Sequence, residues 1–148
     1  MTTQTMQGIN KISLLEYGHQ HILGRLTPYA HWLLRFSLAG VFVYHGYSKL
    51  ANVGMFAQMM DLSYSIALLV ALAEFVGGIA IIAGSFTRDW ITRIGGLMIV
   101  PVMLGAITMI HWGQWNFVPS ESHPMGGMEF QVTLLFIALY FVIKGNKA

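Results

Sequence analysis

Residues 65–84, "SIALLVALAEFVGGIAIIAG", give the clearest indication of how this chain folds. These residues are almost all apolar, and Glu74 near the centre of the stretch is the only ionisable side chain among them. A helix needs about 20 mostly apolar residues to cross the hydrocarbon core of a bilayer. The stretch therefore predicts a membrane-spanning helix that carries one carboxyl group deep inside the membrane.

The composition of the whole chain agrees with a membrane environment. Of its 148 residues, 55% are hydrophobic and only 9% are charged, whereas a soluble domain carries about 25% charged residues. The net charge of +2 is too small to indicate binding to nucleic acid, so the expected partner is the lipid bilayer. The chain has no cysteine, which excludes disulfides, thiolate metal sites and dithiol redox chemistry.

Three more segments have the length and composition of membrane spans, at residues 31–50, 91–111 and 127–144. Each is a long apolar run without the alternating pattern of barrel strands. The sequence predicts an all-α membrane protein, a bundle of four transmembrane helices formed by residues 31–148. Residues 1–30 are predicted to form a separate N-terminal extension, cytoplasmic or lying in the membrane interface.

The positive residues predict the orientation of these spans, because Lys and Arg are enriched in cytoplasmic loops. With four spans, both termini and the second loop lie on one side of the membrane. That side holds Lys11, Arg25, Arg88, Arg93, Lys144 and Lys147, and the other side holds only Lys49. Both termini are therefore predicted to be cytoplasmic.

The N-terminal extension lacks the continuous apolar core of a secretory signal. An apolar stripe is consistent with a short helix in the membrane interface, and equally with a frayed tail; it runs through Ile9, Ile12, Leu15, Ile22 and Leu26. His19 and His21 flank Gln20, but two histidines are weak grounds for a metal site, and none is predicted.

Cationic side chains in the first span fall on one face. Arg35 and Lys49 are fourteen residues apart, and His45 precedes Lys49 by four, which places all three on a stripe about 80° wide. Such a stripe is expected to face the other helices. Each cation alone could instead reach the lipid headgroups from a helix end.

Glu74 lies too deep for its short side chain to reach water. A charged group at the centre of a span costs about 2.5–3.5 kcal/mol, so Glu74 needs a partner or a proton. The alternatives are a neutral acid, or a carboxylate paired with one of three cations, His45, Lys49 or Arg35. A purely structural ion pair remains an alternative to a functional role.

Two further polar residues are expected in the outer half of the membrane. His111 ends the third span and Glu129 begins the fourth. Each alone could be an interfacial residue in contact with lipid headgroups. Together with Glu74 they predict a polar pocket between the helices that opens to the outside, beside a third span that Pro101 is expected to kink.

Four motifs, in order, resemble those of the DoxX family of small bacterial membrane proteins. They are "RFSLAGVFVYHGYSKL", "AEFVGGIAIIAGSFTR", "VMLGAITMIHW" and "GGMEF". The positions typical of the family pattern are Arg35, His45, Gly46, Lys49, Glu74, Gly77, Gly78, Thr87, Arg88, His111, Gly126, Gly127 and Glu129. The resemblance implies a four-helix bundle in the bacterial cytoplasmic (inner) membrane. The long N-terminal extension and the ending "GNKA" depart from that pattern.

The resemblance also implies association with a membrane oxidoreductase assembly, because the related DoxD branch belongs to a thiosulfate:quinone oxidoreductase. The resulting hypothesis is a subunit that interacts with quinone and is not catalytic alone, since a protein partner supplies the electrons. Glu74 and His45 would transfer protons. Arg35 and Lys49 would stabilise anionic charge, His111 and Glu129 would connect the pocket to outer water, and Arg88 completes the charge network.

Three alternatives remain open at this point. The same buried acid could serve a small-solute or proton transporter, although the chain is short and lacks inverted repeats. A b-type haem could be held by His45 and His111, which lie on different helices. A copper site is a weaker alternative, with the candidate ligands Met103, Met109, His111, Met125 and Met128.

Overall fold

A computed structural model describes residues 23–148, and every regular element in that range is helical. The all-α prediction is therefore confirmed. The described range contains the helices α1 (His31–Ala51), α2 (Val53–Met59), α3 (Tyr64–Ala83), α4 (Asp89–Ala106) and α5 (Glu129–Lys144). A π-helical turn, Ile107–His111, extends α4, and 3-10 turns follow α3 and α5 at Gly84–Phe86 and Gly145–Lys147.

Within residues 23–148, three helical segments are long and apolar enough to cross a membrane: Tyr64–Phe86, Asp89–His111 and Glu129–Lys147. The protein is therefore a multi-pass membrane protein. Helix α1 has 21 residues, a length of about 31 Å, but its polar side chains set it apart from those three segments. The count of four spans and the cytoplasmic termini stay predictions.

The chain divides into two compact units, Met1–Leu33 and Leu34–Ala148. Residues 1–22 lie outside the described range, and with them most of the predicted N-terminal extension, including His19 and His21. The described part of the first unit holds a helical turn at residues 23–26, a 3-10 turn at Thr27–Tyr29 and the start of α1. Residues 23–30 are exposed.

Short polar side chains begin the two helices that follow α1. The side chain of Asn52 accepts a hydrogen bond from the Met55 amide at 3.4 Å, and that of Ser63 accepts one from the Ile66 amide at 3.4 Å. The seven residues of α2 are too few to cross a membrane. Instead, the apolar side of α2, formed by Val53, Phe56 and Ala57, packs against Ala67 of α3.

Glycines set the spacing of the long helices. A Cβ atom on Gly95 of α4 would lie 2.9 Å from the carbonyl oxygen of Gly77 in α3, and one on Gly77 would lie 3.1 Å from the Gly95 oxygen. A Cβ atom on Gly96 would meet the Ala138 carbonyl oxygen of α5 at 2.8 Å. Small residues therefore bring α4 into backbone contact with both neighbours.

Helix α1 approaches α3 in the same way. The Gly46 backbone lies against the backbone of Phe75, and a Cβ atom on Gly78 would lie 2.9 Å from Val43 Cγ2. All four long helices contribute to one apolar core: Leu38, Phe42, Ile81, Ile99, Met103, Leu134, Ala138 and Phe141. The core thus holds α1 in the same bundle as the three segments of membrane-spanning composition.

Candidate functional site

A cavity of about 530 Å³ lies between the helices, within the usual size range of small-molecule pockets. Helices α1 to α5 all contribute to its wall, which is mainly apolar. Six of its lining residues are methionines: Met55, Met59, Met60, Met103, Met109 and Met125. Its polar lining residues are His45, Ser48, Lys49, Asn52, Glu74, His111 and Gln131. We call this space the central cavity.

Lys49 and Glu74 form an ion pair in the wall of the central cavity, with 2.5 Å between Lys49 Nζ and Glu74 Oε1. The contact depends on the close approach of α1 to α3, because Gly46, one turn before Lys49, lies directly against Phe75. Lys49 Nζ also lies 4.9 Å from the centre of the Phe56 ring, a cation–π contact. Among the three candidate cations for Glu74, the structure brings Lys49 into contact.

Glu74 is almost completely buried, with 2% of its surface exposed, whereas the Lys49 side chain is 23% exposed. Only Oε1 of the carboxylate is paired; the buried Oε2 atom has no hydrogen-bond partner among the described residues. A buried acceptor without a donor costs about 1–3 kcal/mol. The carboxylate therefore keeps an unused acceptor beside the central cavity.

His111 lies at a second polar point of the central cavity, where the π turn ends. Its Nδ1 atom is 2.8 Å from the carbonyl oxygen of Gly126, and its Nε2 atom is 2.9 Å from Nε2 of Gln131. Gly126 has a φ of +78° and lies against the Phe117 carbonyl group. A side chain at position 126 would be strained and would clash, so glycine is needed to bring this backbone to His111.

The other predicted site residues lie in different surroundings. His45 borders the central cavity and is exposed. Glu129 borders a second cavity of about 470 Å³, between Trp115, Phe117, Phe130 and Thr133. Arg88 is exposed at the N-terminus of α4. The structure therefore does not bring Glu129 or Arg88 into the central cavity with Glu74.

Arg35 is completely buried in a separate polar cluster. Its guanidinium donates to the carbonyl oxygen of Ile81 and to Thr92 Oγ1 (3.1 Å). It also donates to the Gly145 carbonyl oxygen (3.3 Å) and to Asn146 Oδ1 (3.1 Å). Arg35 thus joins the C-terminal turn to the ends of α3 and α4, and it does not join Lys49 and Glu74.

Sequence reasoning missed several polar residues of these clusters, among them Gln131 and Asn146. Gln131 contacts His111, and its only signal was an amide inside the apolar run of α5. Asn146 joins the Arg35 cluster, and its backbone N–H also donates to Asp89 Oδ1 at 2.6 Å. Asn146 lies beyond the last predicted span, where the sequence pattern gave no indication of a buried partner.

Among the described residues, no group of three or more His, Asp or Glu side chains is arranged to hold a metal ion. Both ring nitrogens of His111 are engaged, so His111 could bind haem iron only by releasing Gln131 or Gly126. Of the methionines considered for copper, three border the central cavity with His111, but Met128 does not.

The Lys49–Glu74 pair leads to a prediction about stability. Glu74→Leu alone should lower the free energy of unfolding by about 2 kcal/mol, because it leaves the Lys49 ammonium group without a counter-charge. Lys49→Met together with Glu74→Leu should recover most of that loss. Thermal unfolding of the purified variants in detergent measures both. Equal destabilisation by the single and double variants would contradict the pairing.

The comparisons with known proteins agree with the helical membrane architecture. The DoxX family model matches residues 30–112, more than half of the chain. The matched range contains Lys49, Glu74 and His111, and it ends before Gln131. No curated protein matches the chain, and no solved structure matches it. The chain belongs to the DoxX family of membrane proteins.

Proposed function

We propose that this protein is a subunit of a membrane oxidoreductase and that its central cavity holds a quinone headgroup. The observation that carries this proposal is the buried Glu74 carboxylate, which borders an apolar cavity of about 530 Å³ and has one oxygen atom unpaired. A quinone headgroup is flat and largely apolar. Its redox chemistry moves protons together with electrons, and a buried titratable acid suits that chemistry.

In this proposal Glu74 exchanges a proton with the headgroup, and Lys49 stabilises negative charge on the carboxylate and on the ligand. His45 borders the same cavity and is exposed, so it can pass the proton onward. His111 holds the Gln131 side chain in the wall of the same cavity through a hydrogen bond. Arg35, Glu129 and Arg88 have no part in this proton transfer, because none of them borders the central cavity.

The proposal includes four spans, with α1 as the first, formed by a membrane domain over residues 31–148. Helix α1 supports this count because it has 21 residues and contributes Leu38 and Phe42 to the shared core. Both termini are cytoplasmic in this arrangement, as the distribution of Lys and Arg favours. The membrane is the bacterial inner membrane, and residues 1–30 form an extension on its cytoplasmic side.

A redox protein partner supplies or accepts the electrons in this proposal. The chain has no cysteine, so it cannot hold a thiolate-ligated iron–sulfur cluster or use a dithiol to carry them. Its own task is to bind the headgroup, exclude water and move the proton. The protein partner would complete the assembly.

The test measures binding of decylubiquinone and decylubiquinol to the purified protein in detergent by titration calorimetry. We expect saturable binding, and we expect Glu74→Gln to weaken quinol affinity about tenfold, which corresponds to about 1.4 kcal/mol. The substitution keeps the size of the side chain but removes its negative charge.

Glu129→Gln is the matched control, because Glu129 borders the second cavity and should leave the affinity unchanged. If neither decylubiquinone nor decylubiquinol binds the unmodified protein saturably, the proposal is refuted. Equal losses of quinol affinity in Glu74→Gln and Glu129→Gln would contradict a specific role of Glu74.

A further inference from the structure

The hydrogen bonds of His111 define which of its nitrogens carries a proton. Nδ1 lies 2.8 Å from the carbonyl oxygen of Gly126, and a carbonyl oxygen can only accept. Nδ1 must therefore be the donor. The other ring nitrogen, Nε2, faces the amide nitrogen of Gln131, and an amide nitrogen can only donate, so Nε2 accepts a hydrogen bond.

The same contact turns the nitrogen of the Gln131 amide toward the imidazole ring. The Nε2 atom of Gln131 lies 2.9 Å from Nε2 of His111 and supplies the hydrogen that the ring nitrogen needs. The amide oxygen must then point away from the ring. That oxygen, Gln131 Oε1, is buried and has no donor among the described residues.

The central cavity is therefore bordered by two side chains with an unused acceptor each. One is the Oε1 atom of Gln131, beside His111, and the other is the Oε2 atom of Glu74, beside Lys49. Native proteins satisfy nearly all buried polar atoms, and exceptions call for an explanation. The terminal torsions of Glu and Gln have broad energy wells, so a small rotation that keeps the Lys49 and His111 contacts can offer each oxygen to a ligand in the cavity.

We propose that the central cavity recognises its ligand through two hydroxyl donors and binds the hydroquinone in preference to the quinone. This inference rests on the function proposed above. The two hydroxyl groups of a hydroquinone can donate to Glu74 Oε2 and Gln131 Oε1. A quinone presents only carbonyl acceptors, which would leave both protein oxygens without donors.

Three ligands with the same ring and tail test the preference on the unmodified protein: decylubiquinol, decylubiquinone, and decylubiquinol with both hydroxyl groups methylated. We expect decylubiquinol to bind at least tenfold more tightly than either of the others, because only it offers hydroxyl donors. Equal binding of decylubiquinol and decylubiquinone would overturn the inference and leave the proposed function standing. Tighter binding of decylubiquinone would overturn it too, and would indicate the opposite amide orientation.

A pair of variants on α5 tests whether Gln131 causes the preference for quinol over quinone. Gln131→Met keeps the length of the side chain but removes the acceptor, and it should reduce the quinol preference at least threefold while leaving decylubiquinone affinity nearly unchanged. Phe136→Leu is the control, because Phe136 is exposed and borders neither cavity. An unchanged preference in Gln131→Met would overturn the role of Gln131. Absence of binding by every ligand would instead refute the proposed function.

Discussion

Replacing Arg35 with methionine is expected to lower the free energy of unfolding by about 3–5 kcal/mol, because several buried acceptors lose their donor at about 1–3 kcal/mol each. The side chain is completely buried, and its guanidinium donates to four acceptors on three different elements. It also lies 4.9 Å from the centre of the Phe141 ring. Methionine fills a similar length but donates nothing, so the carbonyl groups at the end of α3 and in the C-terminal turn lose their donor.

Thermal unfolding in detergent measures this loss, and Arg88→Met is its control, since Arg88 is an exposed cation near the same end of the bundle. A second readout is local. Carboxypeptidase should release Lys147 and Ala148 faster from the Arg35 variant, because Gly145 and Asn146 lose their contacts with the guanidinium. Equal stability of the two variants would contradict the role assigned to Arg35.

Gly95→Ala is expected to cost about 2–3 kcal/mol of stability, a large effect for a single added methyl group. That methyl group would lie 2.9 Å from the Gly77 carbonyl oxygen, 3.0 Å from Ala80 Cβ and 3.0 Å from the Ile81 nitrogen. Two of these neighbours are backbone atoms, which cannot rotate away. The helices α3 and α4 would have to separate.

Gly105→Ala provides the matched control on the same helix. A Cβ atom there has nothing within 4 Å, and alanine in place of glycine inside a helix gains about 0.5–1 kcal/mol. The two variants should therefore change the thermal unfolding midpoint in opposite directions. A midpoint for Gly95→Ala equal to or above that of the unmodified protein would contradict the tight contact between α3 and α4.

The helical class and the positions of the long helices could be predicted because each segment is longer than a turn-forming loop and lacks strand periodicity. The predicted segment 65–84 corresponds to α3, Tyr64–Ala83, and the predicted segment 31–50 corresponds to α1, His31–Ala51. Helix α2 was not predicted, since seven residues carry too little periodicity. Its position depends on the Asn52 cap and on packing against α3.

The charged stripe of α1 shows that helical periodicity alone does not predict which residues make contact. The pattern placed Arg35 and Lys49 on one face, but they are separated by about 21 Å along the helix axis at 1.5 Å per residue. Arg35 therefore reaches the C-terminal turn, whereas Lys49 reaches Glu74. A helical wheel reports direction around the axis and contains no information about depth.

The two acceptor-bearing side chains of the central cavity illustrate a different limit. Glu74 could be identified from sequence because a lone carboxylate in an apolar run is costly. Gln131 could not, since a neutral amide carries a smaller cost and its importance depends on contact with His111. That contact joins residues from two helices, and local sequence patterns do not determine it.

The π turn Ile107–His111 bears on how the sequences of related proteins should be aligned. A turn with i to i+5 bonding inside an α-helix takes up an extra residue. A homologue whose fourth helix lacks the widened turn would carry the counterpart of His111 one position earlier. Aligning such a pair without a gap would pair His111 with the residue that follows its counterpart and hide the correspondence, so a single-residue gap belongs at the end of this helix.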